Sequence, residues 1–324
     1  MSLSNQAQHR RSFVYRTFGA PASALAWVKT DLPPLPTGQV RVAMTLAPVN
    51  PSDLIPITGA YAQRIVLPAV AGYEGVGRVV AAHPDHAHML GKRVLPLRGE
   101  GTWQTHVDCP AGDAVEVPPD VPDVIAARAY INPLAAITML RLWPVRGKTV
   151  VLSGAGSSCA DMLGHLARVQ GATRVVGLYR SDCRVPRLRA LGIEPVAQAD
   201  NTRIAKIAQA ADLTFDALGG TVASRILDLM PSGATFVGYG LLTGQPVLFT
   251  GAPRASYKRF HLRDHLGSVA PDGMAQAFKD IWPLLAGMDW PEVTVFPVTQ
   301  WQDALQQVEQ PGALKPLLDF RSRE

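Results

Sequence analysis

The sequence has few cysteines and no long apolar run, and each shortage excludes a class of protein. Its 324 residues contain three cysteines, Cys109, Cys159 and Cys183, with no C-x-x-C pair among them. They cannot by themselves form a disulfide framework or a thiolate zinc site. No stretch approaches the roughly 18 to 20 apolar residues of a membrane-spanning helix. With 47% hydrophobic and 18% charged residues, the chain is predicted to be folded, soluble and cytoplasmic, with no membrane partner.

The excess of positive charge is small and scattered. The chain has 31 Lys and Arg residues against 26 Asp and Glu residues, a net charge of +5. The densest basic window is too short for a nucleic-acid stripe and lacks stacking aromatics; it comprises Lys258, Arg259, His261, Arg263 and His265. We therefore expect no nucleic-acid partner, and the charge favours a phosphorylated small molecule. The first residues carry Arg10 and Arg11 but no apolar segment after them, so no secretory signal is predicted.

The length, about twice that of a typical domain, predicts two domains. Up to about residue 117, short strands such as residues 40–44 and 76–80 alternate with loops rich in Pro and Gly, which is typical of an irregular β domain. From residue 149 strands alternate with helices, which indicates βαβ units and a doubly wound parallel sheet. We predict that residues 1–127 with 268–324 form the β domain and that residues 128–267 form the α/β domain.

The α/β region yields specific secondary-structure predictions. Its predicted strands are residues 149–152, 174–179, 213–216 and 235–238, and its helices include residues 157–170 and 222–230. A helix over residues 133–142 is predicted to have Asn132 as its cap and Pro133 in its first position. After the α/β region, the predicted elements are a helix over residues 274–286, a strand over 293–297 and a helix over 301–308.

The strand over residues 149–152 leads into a glycine-containing turn. The turn reads Ser153-Gly154-Ala155-Gly156-Ser157-Ser158-Cys159. A strand that ends in Gly-x-Gly and opens a helix presents backbone N–H groups to a pyrophosphate. Cys159 stands where the G-x-G-x-x-G pattern has its third glycine, so the match is incomplete; the alternating architecture around it still favours dinucleotide binding.

The end of the next strand favours NADPH over NADH. An Asp or Glu at this tip would bind the ribose 2′-hydroxyl of NADH, whereas Arg accommodates the 2′-phosphate of NADPH. Here the strand ends Tyr179-Arg180-Ser181, so Arg180 is the candidate phosphate ligand and Tyr179 could pack against adenine. Asp182, two residues further on, argues for NADH, and a plain surface arginine is the other alternative.

Motifs over most of the chain resemble those of the medium-chain dehydrogenase/reductase superfamily, specifically its zinc-independent branch of trans-2-enoyl thioester reductases and quinone reductases. In chain order they are Asn50-Pro51-Ser52-Asp53, Gly59-Ala60-Tyr61, Gly72-Tyr73-Glu74-Gly75, Gly101-Thr102-Trp103, Ile131-Asn132-Pro133, Tyr239-Gly240 and Leu314-Lys315. The resemblance implies a GroES-like irregular β-barrel catalytic domain, a Rossmann domain and a homodimer.

The resemblance also implies that no metal takes part. The positions that hold catalytic zinc in the related alcohol dehydrogenases correspond to Asn50, Tyr73 and Asn132, and none of these is a plausible zinc ligand. The His83, His86 and His88 cluster invites a metal interpretation, but a turn of solvated polar residues is favoured. We predict no metal.

Reduction of a conjugated C=C bond needs no Lewis acid, because the enolate that forms is delocalised and can be stabilised by hydrogen bonds. Tyr61 lies in a Gly-containing loop and is protonated at neutral pH, with an unperturbed pKa of about 10. The resemblance gives the tyrosine of this loop the catalytic role, and a surface aromatic is the alternative. The predicted function is NADPH-dependent reduction of an acyl thioester. A quinone substrate, or a nucleotide-sensing or structural role without catalysis, remains open.

The resemblance further implies cofactor contacts and a substrate cleft. The cofactor contacts are Asn132, Gly156, Ser157, Ser158, Cys159, Tyr179, Arg180, Tyr239, Gly240, Leu241, Phe260 and Lys315. Asn50 and Tyr73 are assigned to the cleft. Trp103 is either a wall of that cleft or a core residue.

Overall fold

A computed structural model describes residues 9–60, 62–270 and 272–321 of the chain. The chain divides into two units, one of residues 1–131 with 270–324 and one of residues 132–269. The predicted boundaries lay after residues 127 and 267. No helix in the described ranges is both long and apolar enough to cross a membrane.

The strands, in chain order, are β1 (His9–Tyr15), β2 (Leu25–Asp31), β3 (Gln39–Pro48), β4 (Ala69–Val70), β5 (Val76–Ala82), β6 (Arg93–Pro96), β7 (His106–Pro110), β8 (Ala114–Glu116), β9 (Thr149–Leu152), β10 (Arg174–Tyr179), β11 (Glu194–Ala197), β12 (Leu213–Asp216), β13 (Thr235–Gly238), β14 (Ser256–Arg259), β15 (Val293–Pro297) and β16 (Lys315–Asp319).

The helices are α1 (Pro21–Ala24), α2 (Pro51–Leu54), α3 (Asp123–Ala126), α4 (Ile131–Leu142), α5 (Ser158–Val169), α6 (Val185–Ala190), α7 (Asn201–Gln209), α8 (Gly220–Leu229), α9 (Leu262–Val269), α10 (Met274–Ala286) and α11 (Trp301–Glu309). Short 3₁₀ turns span Ala62–Arg64, Pro84–Met89, Ala111–Asp113, Asp182–Arg184 and Val298–Gln300.

The first unit is built around β3, which pairs antiparallel with β5, β7 and β16. Leu46 pairs with Val76, and Pro48 pairs with Leu317. The end of β3, the start of β5 and the start of β16 therefore lie side by side in a sheet with the order β15-β16-β3-β5-β6-β8. These strand ends position the polar cluster of the candidate site.

The second unit is a parallel sheet with the order β11-β10-β9-β12-β13-β14. Its strands are short and rich in β-branched residues, and β9 reads TVVL with three of four residues buried, as expected for strands covered on both faces. The strands that follow β9 lie on both of its sides, and such a switch point creates a crevice at the carboxyl ends of the strands. The predicted fold class, with a doubly wound parallel sheet in the second unit, is confirmed.

Two predicted helix starts are wrong. α4 begins at Ile131, so Asn132 lies within the first turn and is not its cap; the carboxylate of Glu74 accepts hydrogen bonds from the N–H groups of Tyr130 and Ile131 and does the capping instead. α8 begins at Gly220, two residues before the predicted start at residue 222, because the Asp216 carboxylate accepts the N–H group of Gly219 and turns the chain early.

Candidate active site

The N-P-S-D motif folds as the tight start of α2. The Asp53 carboxylate reaches back to accept the Asn50 N–H group at 2.8 Å, and Pro51 occupies the first helical position, where its missing N–H group costs nothing. The other oxygen of Asp53 accepts the Tyr73 N–H group at 3.0 Å. One buried carboxylate thereby ties the segment after β3 to the segment before β5.

Asn50 lies at the centre of a buried polar cluster. Its Nδ2 donates to Glu74 Oε1 at 2.8 Å, and its Oδ1 accepts a hydrogen bond from the Lys315 ammonium. Asn50, Asp53 and Glu74 are each at most 2% exposed. Because an Asn side chain both donates and accepts, it can join an acid to an amine without carrying a charge itself. Asn50, Asp53, Glu74 and Lys315 are called the Asn50 cluster below.

Burial changes the acidities of the Asn50 cluster. The pKa of Asp53 is raised to about 7, chiefly by burial and also by the nearby Glu74, while the N–H group of Asn50 and the charge of Lys315 oppose the shift. The pKa of Glu74 is also raised by burial, against the Ile131 N–H group and Lys315. Asp53 can therefore gain or lose a proton near neutral pH, a property that catalytic carboxyls share.

Arg128 is a further buried cation of the first unit. Its guanidinium lies 5.0 Å from the centre of the Trp290 ring and donates to the carbonyl oxygens of Val124 and Pro291. Burial lowers its pKa to about 10, and the negative charge of Glu74 opposes that shift.

Tyr61 lies outside the described residues, and its catalytic role stays a prediction. The segment before Tyr61 requires glycine at one position. Gly59 has φ +89°, and a Cβ there would lie 3.2 Å from Phe18 Cβ. A side chain at Gly59 would therefore strain both the backbone and this contact.

The two predicted aromatic cleft residues differ in position. Tyr73 is half-buried and lies near Tyr15, whose pKa is raised by burial and by Tyr73. Trp103 is 1% exposed, belongs to the core cluster and donates Nε1–H to the Pro48 carbonyl oxygen at 3.1 Å. Of the two interpretations of Trp103, the structure favours the core residue. A Cβ on Gly72 would approach Trp103 Cδ1 to 2.2 Å, so this packing requires glycine.

In the second unit, side-chain hydrogen bonds hold the start of the turn that follows β9. Ser153 Oγ donates to Asp216 Oδ1 and accepts the Ala217 N–H group at 2.9 Å, which ties the end of β9 to the end of β12. Gly154 has φ +59°, a conformation that glycine adopts without strain. Ser157 caps α5 by accepting the Ala160 N–H group at 3.3 Å. Gly156 and Ser158 also belong to the turn, and both residues are half-buried.

Four predicted cofactor residues come together at this turn. The thiol of Cys159 donates to the Asn132 carbonyl oxygen at 4.0 Å. The Tyr239 hydroxyl is buried next to the side chains of Ser157 and Cys159. Burial raises the pKa of Tyr239 well above its ordinary value.

The remaining predicted cofactor residues are placed as follows. Tyr179 is half-buried and Arg180 exposed at the end of β10, and Gly240 and Leu241 follow Tyr239 after β13. The Phe260 ring is buried and stacks on His265 with 5.2 Å between centroids. Lys315 belongs to the Asn50 cluster. Cofactor contact by these residues stays a prediction.

Sequence reasoning assigned no role to Asp53, Glu74, Arg128 or Arg184. Asp53 and Glu74 are charged residues inside otherwise uncharged motifs, and that contrast was the available signal. Arg184 is recognisable only through its contact with Gly156 in the folded chain. Among the described residues no group of three or more His, Cys, Asp or Glu side chains could hold a metal ion.

Comparison with known proteins gives consistent relatives. Residues 36–119 match the alcohol dehydrogenase GroES-like domain family. The chain is 33% identical to the mitochondrial enoyl-[acyl-carrier-protein] reductase of Arabidopsis thaliana over 253 residues, which are 73% of this chain and 67% of the relative. The Homo sapiens protein of the same name is 28% identical over 99% of this chain and 90% of its own. The structure of a putative NADPH:quinone reductase from Bacillus thuringiensis is 29% identical and covers 96% of this chain and 99% of its own, with a TM-score of 0.89.

Proposed function

Because the chain belongs to the medium-chain dehydrogenase/reductase superfamily of oxidoreductases, we propose that it uses NADPH to reduce the conjugated C=C bond of a trans-2-enoyl thioester. The observation that carries the choice of substrate is the similarity to mitochondrial enoyl-[acyl-carrier-protein] reductases, which extends over 99% of the chain for the human protein.

The second unit fits a dinucleotide that carries a 2′-phosphate. The glycine turn opens α5 at the switch point of the sheet, and Arg180 rather than a carboxylate follows β10 directly. The turn from Gly156 to Cys159 would hold the pyrophosphate, and Arg180 would hold the 2′-phosphate. When bound, NADPH supplies a hydride to Cβ of the substrate.

The protein's own residues then have two tasks. The enolate that remains must be stabilised at its oxygen and protonated at Cα, and a neutral phenol can do either. We assign this task to Tyr61 on the basis of the motif resemblance. The Asn50 cluster has a structural task, since it joins three segments of the first unit and places the Tyr73 backbone.

Replacing Tyr61→Phe tests the assignment. Loss of the proton donor is expected to reduce kcat/KM for a crotonyl thioester by about 100-fold or more, with the NADPH dissociation constant unchanged. Tyr257→Phe is the matched control, because it removes a phenol hydroxyl elsewhere in the chain. Enoyl reduction that persists at the wild-type rate in the Tyr61→Phe protein would disprove the role of Tyr61.

Quinone reduction is the second candidate, and the similarity to the Bacillus thuringiensis structure favours it. A quinone is reduced without protonation of a carbon atom, so its turnover needs no donor at Tyr61. Quinone turnover that is equal in wild-type and Tyr61→Phe protein, together with no turnover of enoyl thioesters, would select this candidate.

Three further expectations stay predictions. NADPH binding without turnover of either substrate class would indicate a nucleotide-sensing or structural protein. A homodimer is expected from the superfamily resemblance. The cytoplasmic location was inferred from cysteine usage, whereas the named relatives from Arabidopsis thaliana and Homo sapiens are mitochondrial.

A further inference from the structure

Arg184 lies against the glycine turn of the second unit. It ends the 3₁₀ turn Asp182–Arg184 that follows β10. A Cβ built on Gly156 would lie 3.1 Å from Arg184 Cγ and 3.5 Å from Arg184 Nε. The arginine stem therefore runs along the part of the turn where a side chain at residue 156 would stand, and the guanidinium begins within contact distance of the turn.

The backbone around Arg184 holds it in this position. The Arg184 N–H group donates to the Ser181 carbonyl oxygen at 3.0 Å, and the chain continues directly into α6. Arg187, one turn further along, pairs with Asp161 of α5 at 3.2 Å. Arg187 thereby fastens α6 to α5, while Arg184 covers the turn itself.

The turn offers less to an anion than a full glycine fingerprint does. Cys159 replaces its third glycine, and the Ser157 side chain already accepts the Ala160 N–H group. Asp161 in the first turn of α5 is paired with Arg187, so this pair does not strengthen the attraction of the helix end for an anion. An arginine can restore this attraction, because its planar guanidinium binds phosphate through two parallel hydrogen bonds.

We propose that Arg184 binds the pyrophosphate of the nicotinamide cofactor, while Arg180 binds the 2′-phosphate; this inference rests on the proposed function. Arg184 is thus an affinity determinant that NADPH and NADH share, and Arg180 is the residue that separates them. The two arginines lie four residues apart in the sequence but differ in their surroundings. Arg180 is exposed at the strand tip, and Arg184 is half-buried against Gly156.

The test measures binding of three ligands to the full-length protein. NADPH contains both phosphate groups, NADH contains only the pyrophosphate, and adenosine 2′-monophosphate contains the 2′-phosphate but no 5′-phosphate. Binding is followed by protein fluorescence or by displacement of NADPH. The variants are Arg184→Gln, Arg180→Gln and, as a control of equal charge change, Arg189→Gln on the exposed surface of α6.

Arg184→Gln is expected to weaken the binding of NADPH and NADH by the same factor, about 10- to 100-fold, and to leave the affinity for adenosine 2′-monophosphate within about twofold. Arg180→Gln should weaken the binding of NADPH and adenosine 2′-monophosphate and spare that of NADH, and Arg189→Gln should change none of them. Arg184→Lys keeps the charge but loses the paired hydrogen bonds, so its affinity should lie between those of wild type and Arg184→Gln. This variant also supplies the test if Arg184→Gln does not fold.

Two results would overturn the inference. Loss of NADPH and adenosine 2′-monophosphate binding with NADH unchanged would make Arg184 a second 2′-phosphate ligand. Unchanged binding of all three ligands would leave it a purely structural residue. If the wild type binds none of the ligands, the proposed function is wrong and the inference with it; if binding follows the expected pattern but no enoyl thioester is turned over, only the proposed substrate is wrong.

Discussion

Asp53 keeps its proton to about pH 7 because it is buried beside a second carboxyl group. In the unfolded chain the same group loses its proton near its ordinary pKa of 3.8. Between about pH 4 and pH 7 the folded protein therefore holds a proton that the unfolded chain has released. A folded state that binds more protons loses stability as the pH rises, so this group favours folding at the acidic end of that window and loses its contribution as the pH approaches 7.

The pH dependence of stability tests this account of Asp53. In wild type the group contributes a decline in unfolding free energy of up to about 1.4 kcal/mol per pH unit between pH 4 and pH 7. Asp53→Asn removes the titration, so urea unfolding across this range should show a shallower decline. Asp120→Asn, in an exposed loop, is the control and should leave the slope unchanged. Equal slopes in wild type and Asp53→Asn would contradict the raised pKa.

The start of α4 shows how one distant side chain sets the boundary of an element. The local sequence, Asn132-Pro133, is a good helix start, yet α4 begins at Ile131. Glu74, 57 positions earlier, accepts the Tyr130 and Ile131 N–H groups at 3.1 and 2.8 Å. A carboxylate at a helix N-terminus satisfies orphan donors and interacts favourably with the helix dipole.

Glu74→Gln is expected to destabilise the protein by about 2 kcal/mol or more. The glutamine amide retains one acceptor oxygen, so it must either leave the α4 N–H groups unpaired or abandon Asn50, and its NH₂ group then faces a donor. Unfolding in urea measures the change, with Glu309→Gln at the exposed end of α11 as the control for loss of a negative charge. A change below about 0.5 kcal/mol would show that Glu74 does not hold α4.

Across the whole molecule, several elements have the predicted bounds, among them four strands of the second unit and, in the first unit, α10 and β15. β9, β10, β12 and β13 begin and end at the predicted residues, because parallel strands covered on both faces read as short apolar runs between turn residues. Local patterns carry this information. The roles of Glu74 and Arg184 depend on contacts across long sequence separations or through the backbone of a turn, which neither periodicity nor motif spacing encodes.

The candidate site divides in the same way. The glycine turn and Arg180 follow from strand and turn chemistry, and Asn50, Tyr73 and Lys315 follow from motif resemblance. The hydrogen bonds that join Asn50 to Glu74 and Lys315 and the shifted acidity of Asp53 were not predictable, because burial and partner geometry exist only in the folded chain. Resemblance located the polar residues, and the packing around β3 gives them their interactions.

Reduction of a crotonyl thioester by NADPH that carries deuterium at the transferred position tests the central claim most directly. The proposed function predicts saturable NADPH oxidation and a butyryl product with deuterium at Cβ and a solvent proton at Cα. Turnover of quinones with no labelled butyryl thioester would contradict the claim and select quinone reduction, and no turnover of either substrate by protein that binds NADPH would contradict catalysis altogether.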